Sequence, residues 1–153
     1  MKHTYKNTII SSRNKQVLFV GQTVYGGKTH DYALLKKDLD PSENWFLKYT
    51  LWVDLGYQGI DKEFECGDVK IPFKKPRKSK KNPDPKLTPE QKEYNKFVGK
   101  NRVVVENCIA GVKRFHILRN KFRYKSLQIY DETIELCAGL WNYKLRNLTT
   151  YFS

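Results

Sequence analysis

The segment Lys70 to Lys81, KIPFKKPRKSKK, places seven basic residues and no acid in the middle of the chain. Cations at that density repel one another and keep their hydration, so none of this stretch enters a core. With Asn82-Pro83-Asp84-Pro85 behind it, the region 61–87 reads as an extended basic loop. The apolar segments on either side are each too few to bury a core alone. The loop is therefore expected to join elements of a single domain over 1–153, not to separate two domains. An aromatic content of 14% suffices for that core and excludes wholesale disorder.

Before the loop, Tyr5 to Ser11 and Gln16 to Tyr25 (QVLFVGQTVY) read as two strands. Ser12-Arg13-Asn14-Lys15 is a polar turn between them, which makes a β-hairpin. Thr29 is placed to cap a short helix from His30 to Lys37, ended by Pro41 and Ser42, and a second short helix is expected around Ser42 to Tyr49. Thr50 to Leu55 (TLWVDL) is a buried strand that carries an acid to its C-terminal edge and then breaks on Gly56 and Gly59. After the loop, Thr88-Pro89-Glu90-Gln91 is a capping-box start for a long helix running towards Leu118, with a break expected near Gly99. Val98, Val105, Ile109 and Val112 form its apolar stripe. A last helix spans about Ile129 to Leu145, with Ile134, Leu136, Cys137, Leu140, Trp141 and Leu145 as a broad buried face. The order predicts a mixed α/β domain.

The net charge of +13 favours a polyanionic partner, nucleic acid before an anionic membrane surface. No apolar run reaches the roughly 18–20 residues of a membrane span, and Met1 to Lys6 is followed by no apolar signal region. Cys66, Cys108 and Cys137 are too widely spaced for a zinc ribbon or a redox pair, and read as reduced thiols of which two are buried.

Asp31, Asp54 and Glu106 stand out by context. Asp54 follows Leu51-Trp52-Val53, and Glu106 follows Val103-Val104-Val105. An acid in such surroundings either points to solvent or is held by a partner. Arg102, Glu106 and Lys113 fall near one helix face over roughly 16 Å. That face is either a salt-bridge ladder or a metal-binding carboxylate flanked by phosphate-binding cations. Two-metal phosphoryl transfer needs converging carboxylates, and Mg²⁺ prefers carboxylate oxygen and water.

The ordered series His3-Thr4, Gly27 with His30-Asp31, Val53-Asp54-Leu55-Gly56-Tyr57-Gln58-Gly59, Ile71-Pro72-Phe73-Lys74-Lys75-Pro76-Arg77, Arg102-Val103-Val104-Val105-Glu106 and Lys113-Arg114-Phe115-His116-Ile117-Leu118 resembles the catalytic domain of bacterial insertion-sequence transposases of the DDE type. The resemblance implies a ribonuclease-H-like α/β fold: a mixed sheet flanked by helices. It implies an Asp–Asp–Glu triad that binds two Mg²⁺ ions, with Mn²⁺ as a substitute. These activate water or a DNA 3′-hydroxyl for attack on a phosphodiester at the transposon end. Asp54 matches the second Asp and Glu106 the Glu, as catalytic and metal-binding residues. Arg102-x3-Glu106-x6-Lys113 matches most of the family's Tyr-x2-Arg-x3-Glu-x6-Lys signature, with Gly99 at the Tyr position. Arg102 and Lys113 are then accessory residues that orient or contact phosphate, and Lys113 acts as a point charge. His30 and Asp31 match a separate His-Asp pair and are accessory on this reading; on the plainer one they only start a helix.

The family's first Asp lies on a strand before the Lys-His-Thr segment, and no acid here precedes Asp31. The expectation is thus the C-terminal part of a transposase, either a truncated or decayed copy or the second frame of a frameshifted element. Its sheet would lack the first strand and expose an edge. Expected DNA contacts are Lys70, Lys74, Lys75, Arg77, Lys78, Lys80 and Lys81 in the loop, and Arg114, Arg119, Lys121 and Arg123 beyond the long helix. Among the aromatics interleaved there, Phe115 is assigned to the core, and Phe122 and Tyr124 to either packing or base stacking. Expected partners are transposon ends and target DNA, with an N-terminal transposase segment or another protomer and no membrane. The expected place is the cytoplasm, at the nucleoid. The rival reading is a basic DNA-binding remnant without catalysis. A third, a small RNA- or ribosome-binding protein, sits badly with acids in apolar settings.

Overall fold

The structure, a computed structural model, describes residues 5–26, 29–80, 82–120, 122 and 126–150. It is a mixed α/β arrangement of small sheets and helices. The chain forms two compact units, Met1–Asp38 with Val104–Ser153, and Leu39–Val103.

The first unit opens with the predicted hairpin, interrupted halfway. β2 (Ile9–Ser11) pairs antiparallel with β3 (Val17–Val20), and β1 (Tyr5–Lys6) pairs antiparallel with β4 (Val24–Tyr25). Between the pairs, the Gly21 N–H donates to the Thr8 carbonyl at 2.8 Å, and the Asn7 side chain bonds Thr23 Oγ1. α1 (Asp31–Asp38) follows and buries Leu34 and Leu35. α5 (Leu127–Thr150) packs on β3. The core is Val17, Cys108, Val112, Ile134, Cys137, Ala138 and Trp141. Two polar side chains of α5 fix it to the hairpin. The Trp141 indole N–H donates to the Lys15 carbonyl at 2.8 Å, and the Asn142 amide exchanges two 2.8 Å bonds with the Val17 backbone. Cys108 and Cys137 are buried, as expected, and burial raises both thiols above the ordinary range.

In the second unit, β5 (Phe46–Trp52) and β6 (Cys66–Lys70) pair in parallel. Between them lie a single 3₁₀ turn, Leu55–Tyr57, and α2 (Ile60–Glu63). Gly59 sits at φ +94°, where a side chain would be strained, and so turns the chain into α2. Phe46 and Phe64 pack at 5.5 Å, and Ile60 is fully buried.

Several sequence expectations need correction. The helix around Ser42 to Tyr49 is absent. Asp40 Oδ1 instead accepts the Ser42 N–H and hydroxyl in a local turn, which lowers the Asp40 carboxyl, and the aromatic, β-prone run that follows is β5. The region 61–87 is not all loop, because α2 ends in it and β6 occupies part of it. CGDVK has no alternating pattern and forms a strand because β5 offers an edge. The sheet is also divided: the described strands form three separate pairs and not one continuous sheet.

α3 (Pro89–Val112) starts on the predicted capping box. The Gln91 N–H donates to Thr88 Oγ1 at 3.2 Å, and Gln91 Oε1 accepts the Thr88 N–H at 3.1 Å. It runs through Gly99 without a break, ends at Val112, and is followed by the separate short α4 (His116–Arg119). Its two glycines predict opposite responses to one substitution. A Cβ at Gly99 would meet nothing within 4 Å, whereas at Gly111 it would lie 2.4 Å from the Trp141 ring. Gly99→Ala is expected to stabilise by about 0.5–1 kcal/mol. Gly111→Ala is expected to destabilise by about 1–3 kcal/mol through overpacking. Urea denaturation midpoints measure both; a shift of the same sign in the two variants contradicts this packing.

Candidate functional site

The chain leaves β5 at Trp52 and turns at Asp54. That residue has extended backbone and caps the 3₁₀ turn, with its Oδ1 accepting the Leu55 N–H at 2.6 Å. Its other oxygen, Oδ2, accepts from Arg102 Nη2 at 2.9 Å. Arg102 reaches it from α3 and is 26% exposed against 53% for the carboxylate. An ion pair that open contributes only about 0–1 kcal/mol. It orients Asp54, and a competing ligand displaces it at small cost. Arg102 was expected on a face with Glu106, or on phosphate. Its guanidinium instead goes to an acid 48 residues earlier. No local pattern signals that bond, because only the return of α3 across the end of β5 creates it.

Glu106 lies one turn beyond Arg102 on the continuous α3 and is exposed. Asp54 and Arg102 belong to the Leu39–Val103 unit, and Glu106 to the other. Lys113 is the first residue past α3; its N–H still donates to the Ile109 carbonyl at 2.9 Å, and its side chain is exposed. His30 is exposed, and its carbonyl accepts the Leu34 N–H. Asp31 Oδ1 lies 2.8 Å from Lys6 Nζ, which also donates to the Thr29 carbonyl, so the pair ties β1 to the start of α1. Among the described residues, no three of His, Cys, Asp and Glu stand close enough together to hold a metal ion.

The basic residues fall in two places. Lys70 ends β6 and pairs with Asp68 at 2.9 Å; their hydrogen bond lowers the Asp68 carboxyl and raises the Lys70 ammonium. Lys74, Lys75, Arg77, Lys78 and Lys80 are all exposed. The root of this loop is held by a residue that sequence reasoning missed. Asn95 Oδ1 accepts the Phe73 N–H at 2.7 Å, and its Nδ2 donates to the Phe73 carbonyl at 3.0 Å. The Phe73 ring packs edge-on against Tyr94 at 5.2 Å. An Asn completing a backbone pair in this way has no local sequence signal. Asn95→Ala is expected to speed amide hydrogen exchange at Phe73 roughly fivefold or more, since the bond it removes contributes about 1 kcal/mol or more. Unchanged exchange there would remove Asn95 as the anchor.

Arg114 and Arg119 are exposed beside α4. Phe115 packs on the core of the first unit, as assigned, and Phe122 lies edge-on to Tyr5 and Tyr130 at 6.2 and 5.0 Å. His3, Thr4, Gly27, Lys81, Lys121, Arg123 and Tyr124 lie outside the described residues. Among the described residues, no helix is long and apolar enough to cross a membrane.

A family model described as DDE superfamily endonuclease matches residues 1–142. The chain belongs to the DDE superfamily endonuclease family. It is also 34% identical over 146 residues to the probable transposase for insertion sequence element IS702 of Microchaete diplosiphon. That alignment covers 94% of this chain and 48% of the relative, so the chain spans about half the length of the curated relative it matches. No solved structure matches. The resemblance carried by the ordered motifs is thus confirmed at the level of family, and the family match encloses Asp54, Arg102, Glu106 and Lys113.

Proposed function

We propose that this DDE superfamily chain acts in DNA transposition, as part of the catalytic domain that cleaves and transfers strands at transposon ends. The observation that carries this reading is the family match over residues 1–142. The Arg102–Asp54 bond adds support, because it joins two members of the ordered motif series that lie far apart in sequence. The domain is read as single and ribonuclease-H-like. An acid at the C-terminal end of a parallel strand supports that reading, as does an antiparallel hairpin before it.

Asp54 and Glu106 are the proposed metal-binding carboxylates. Their oxygen donors suit Mg²⁺, and Mn²⁺ in its place, by chemistry. In number they fall short, and Asp54 already accepts bonds at both oxygens. A further carboxylate from an N-terminal transposase segment or another protomer completes the set. The chemistry that bound Mg²⁺ supplies is activation of a water or a 3′-hydroxyl at the phosphodiester. Of the chain's own residues, Arg102 orients the Asp54 carboxylate and exchanges it for DNA phosphate as the site fills. Lys113 places a charge on terminal phosphates, and the exposed cations of 74–80 grip the backbone of transposon-end and target DNA. The proposed place of action is the cytoplasm, at the nucleoid.

The test is nicking of DNA carrying the element's ends, in Mg²⁺ or Mn²⁺. The chain alone is expected to bind DNA without cutting it, and to cut once the N-terminal segment is supplied. Binding that never becomes cleavage under any supplementation favours the second reading, a non-catalytic DNA-binding remnant. The absence of a three-residue ligand cluster among the described residues is the observation on that side.

A further inference from the structure

The sequence assigned Leu136 and Leu140 to the buried face of α5, and the structure places them outside. They are 65% and 45% exposed, and Ile129 and Tyr143 are 39% and 68% exposed. The residues turned inward are Ile134, Cys137, Ala138 and Trp141. The outer residues are not scattered. Ile129, Thr133, Leu136, Leu140, Tyr143 and Asn147 follow one another at steps of 4, 3, 4, 3 and 4. That is the seam of a two-stranded coiled coil, on a helix of 24 residues. Gly139 lies beside the seam, and a Cβ there would meet nothing within 4 Å, so a second helix has room to approach. Four of the six positions, Ile129, Leu136, Leu140 and Tyr143, are exposed large hydrophobics, and such residues gathered on one face mark an interaction surface where singly scattered ones do not.

The charges on α5 select the occupant. Asp131, Glu132 and Glu135 lie in its first half with no base, and Lys144 and Arg146 in its second half with no acid. Asp131 is turned inward, accepting the Thr23 N–H at 2.7 Å, while Glu132, Glu135, Lys144 and Arg146 are exposed. A like helix laid parallel would set acid on acid and base on base. Laid antiparallel, it sets Glu132 beside the partner's Arg146, on the same flank of the seam. Acids early and bases late also suit the helix dipole, but the dipole gives no reason for the apolar seam.

We propose that α5 pairs antiparallel with α5 of a second copy of this chain, Leu136 packing on the partner's Leu140 across a two-fold axis. The interface is independent of the catalytic reading, since it uses none of the residues assigned to metal or DNA. Sedimentation equilibrium of the chain over micromolar concentrations is expected to show a reversible monomer–dimer equilibrium. Leu136→Glu with Leu140→Glu is expected to raise its Kd by about 100-fold or more, with unchanged circular dichroism and melting, because both side chains already face solvent. Glu132→Lys is expected to weaken the dimer, and adding Arg146→Glu to restore it. A chain that stays monomeric, a dimer indifferent to the leucine changes, or a charge reversal without restoration overturns the proposal. So does a monomer whose leucine face instead takes up the N-terminal transposase segment.

Discussion

Asp54→Asn and Glu106→Gln, each made in a protein that cleaves once the N-terminal segment is supplied, are expected to lower the cleavage rate by about 10³-fold or more. A ligand carboxylate helps place a divalent ion that stabilises transition-state charge by several kcal/mol, and each 1.36 kcal/mol is a factor of ten. The amide variants test chemistry and not folding. Asn caps a helix as well as Asp, so the bond to the Leu55 N–H survives in Asp54→Asn, and Glu106 is exposed on a long helix that does not depend on it. Arg102→Gln is the internal contrast. Its exposed ion pair adds little stability, so the fold persists, and the loss expected is the smaller one of an orienting and phosphate-contacting group, about 10- to 100-fold. Full cleavage by Asp54→Asn would remove that residue from the site. A larger loss in Arg102→Gln than in either acid variant would reverse the assigned roles.

Neutralising Lys74, Lys75, Arg77 and Lys78 to Gln together is expected to flatten the dependence of log affinity on log salt for duplex DNA by about three to four units. Each phosphate contact contributes a slope of about 0.9 through counterion release. The four side chains are exposed, while the loop root at Phe73 is fixed by Asn95, so the variant keeps its fold and loses charge where a backbone could lie. Lys70→Gln is expected to change the slope by less than one unit, because Asp68 already holds its ammonium. The measurement is fluorescence anisotropy across a salt series with the chain as it stands. An unchanged slope in the fourfold variant would leave the loop as solubilising charge, and would move DNA contact to Arg114, Arg119 and their neighbours.

Local signals in the sequence served well where local forces decide. The capping box at Thr88 and Gln91 and the polar turn of the hairpin were legible, since each is set by a few adjacent residues, whereas the strand read over Thr50 to Leu55 as buried starts earlier, stops at Trp52 and is largely exposed. The expectations that failed depended on what lies alongside. β6 forms from an unpatterned CGDVK because β5 offers an edge, and the run after Ser42 extends where β6 pairs with it in turn. Gly99 does not break α3, because one helical glycine costs at most about 1 kcal/mol and the packed segments on both sides hold the helix. Leu136 and Leu140 read as core because periodicity identifies apolar faces without counting them, and α5 has two. The candidates Asp54, Arg102, Glu106 and Lys113 were drawn from the ordered motifs. The Arg102–Asp54 bond and the Asn95 clamp were not, because both join residues that only the fold brings together.

Iron-directed cleavage of the protein tests, without relying on activity, the proposed binding of one divalent ion by Asp54 and Glu106. Fe²⁺ substituted for Mg²⁺ in the protein with the N-terminal segment supplied, with hydrogen peroxide as oxidant and ascorbate to recycle the iron, generates hydroxyl radicals that cut the backbone beside the metal. Cuts are predicted next to both Asp54 and Glu106, competed away by Mg²⁺ and lost at both positions together in either single variant. Cuts at one position alone, or cuts that survive in Asp54→Asn and Glu106→Gln, would contradict a shared site.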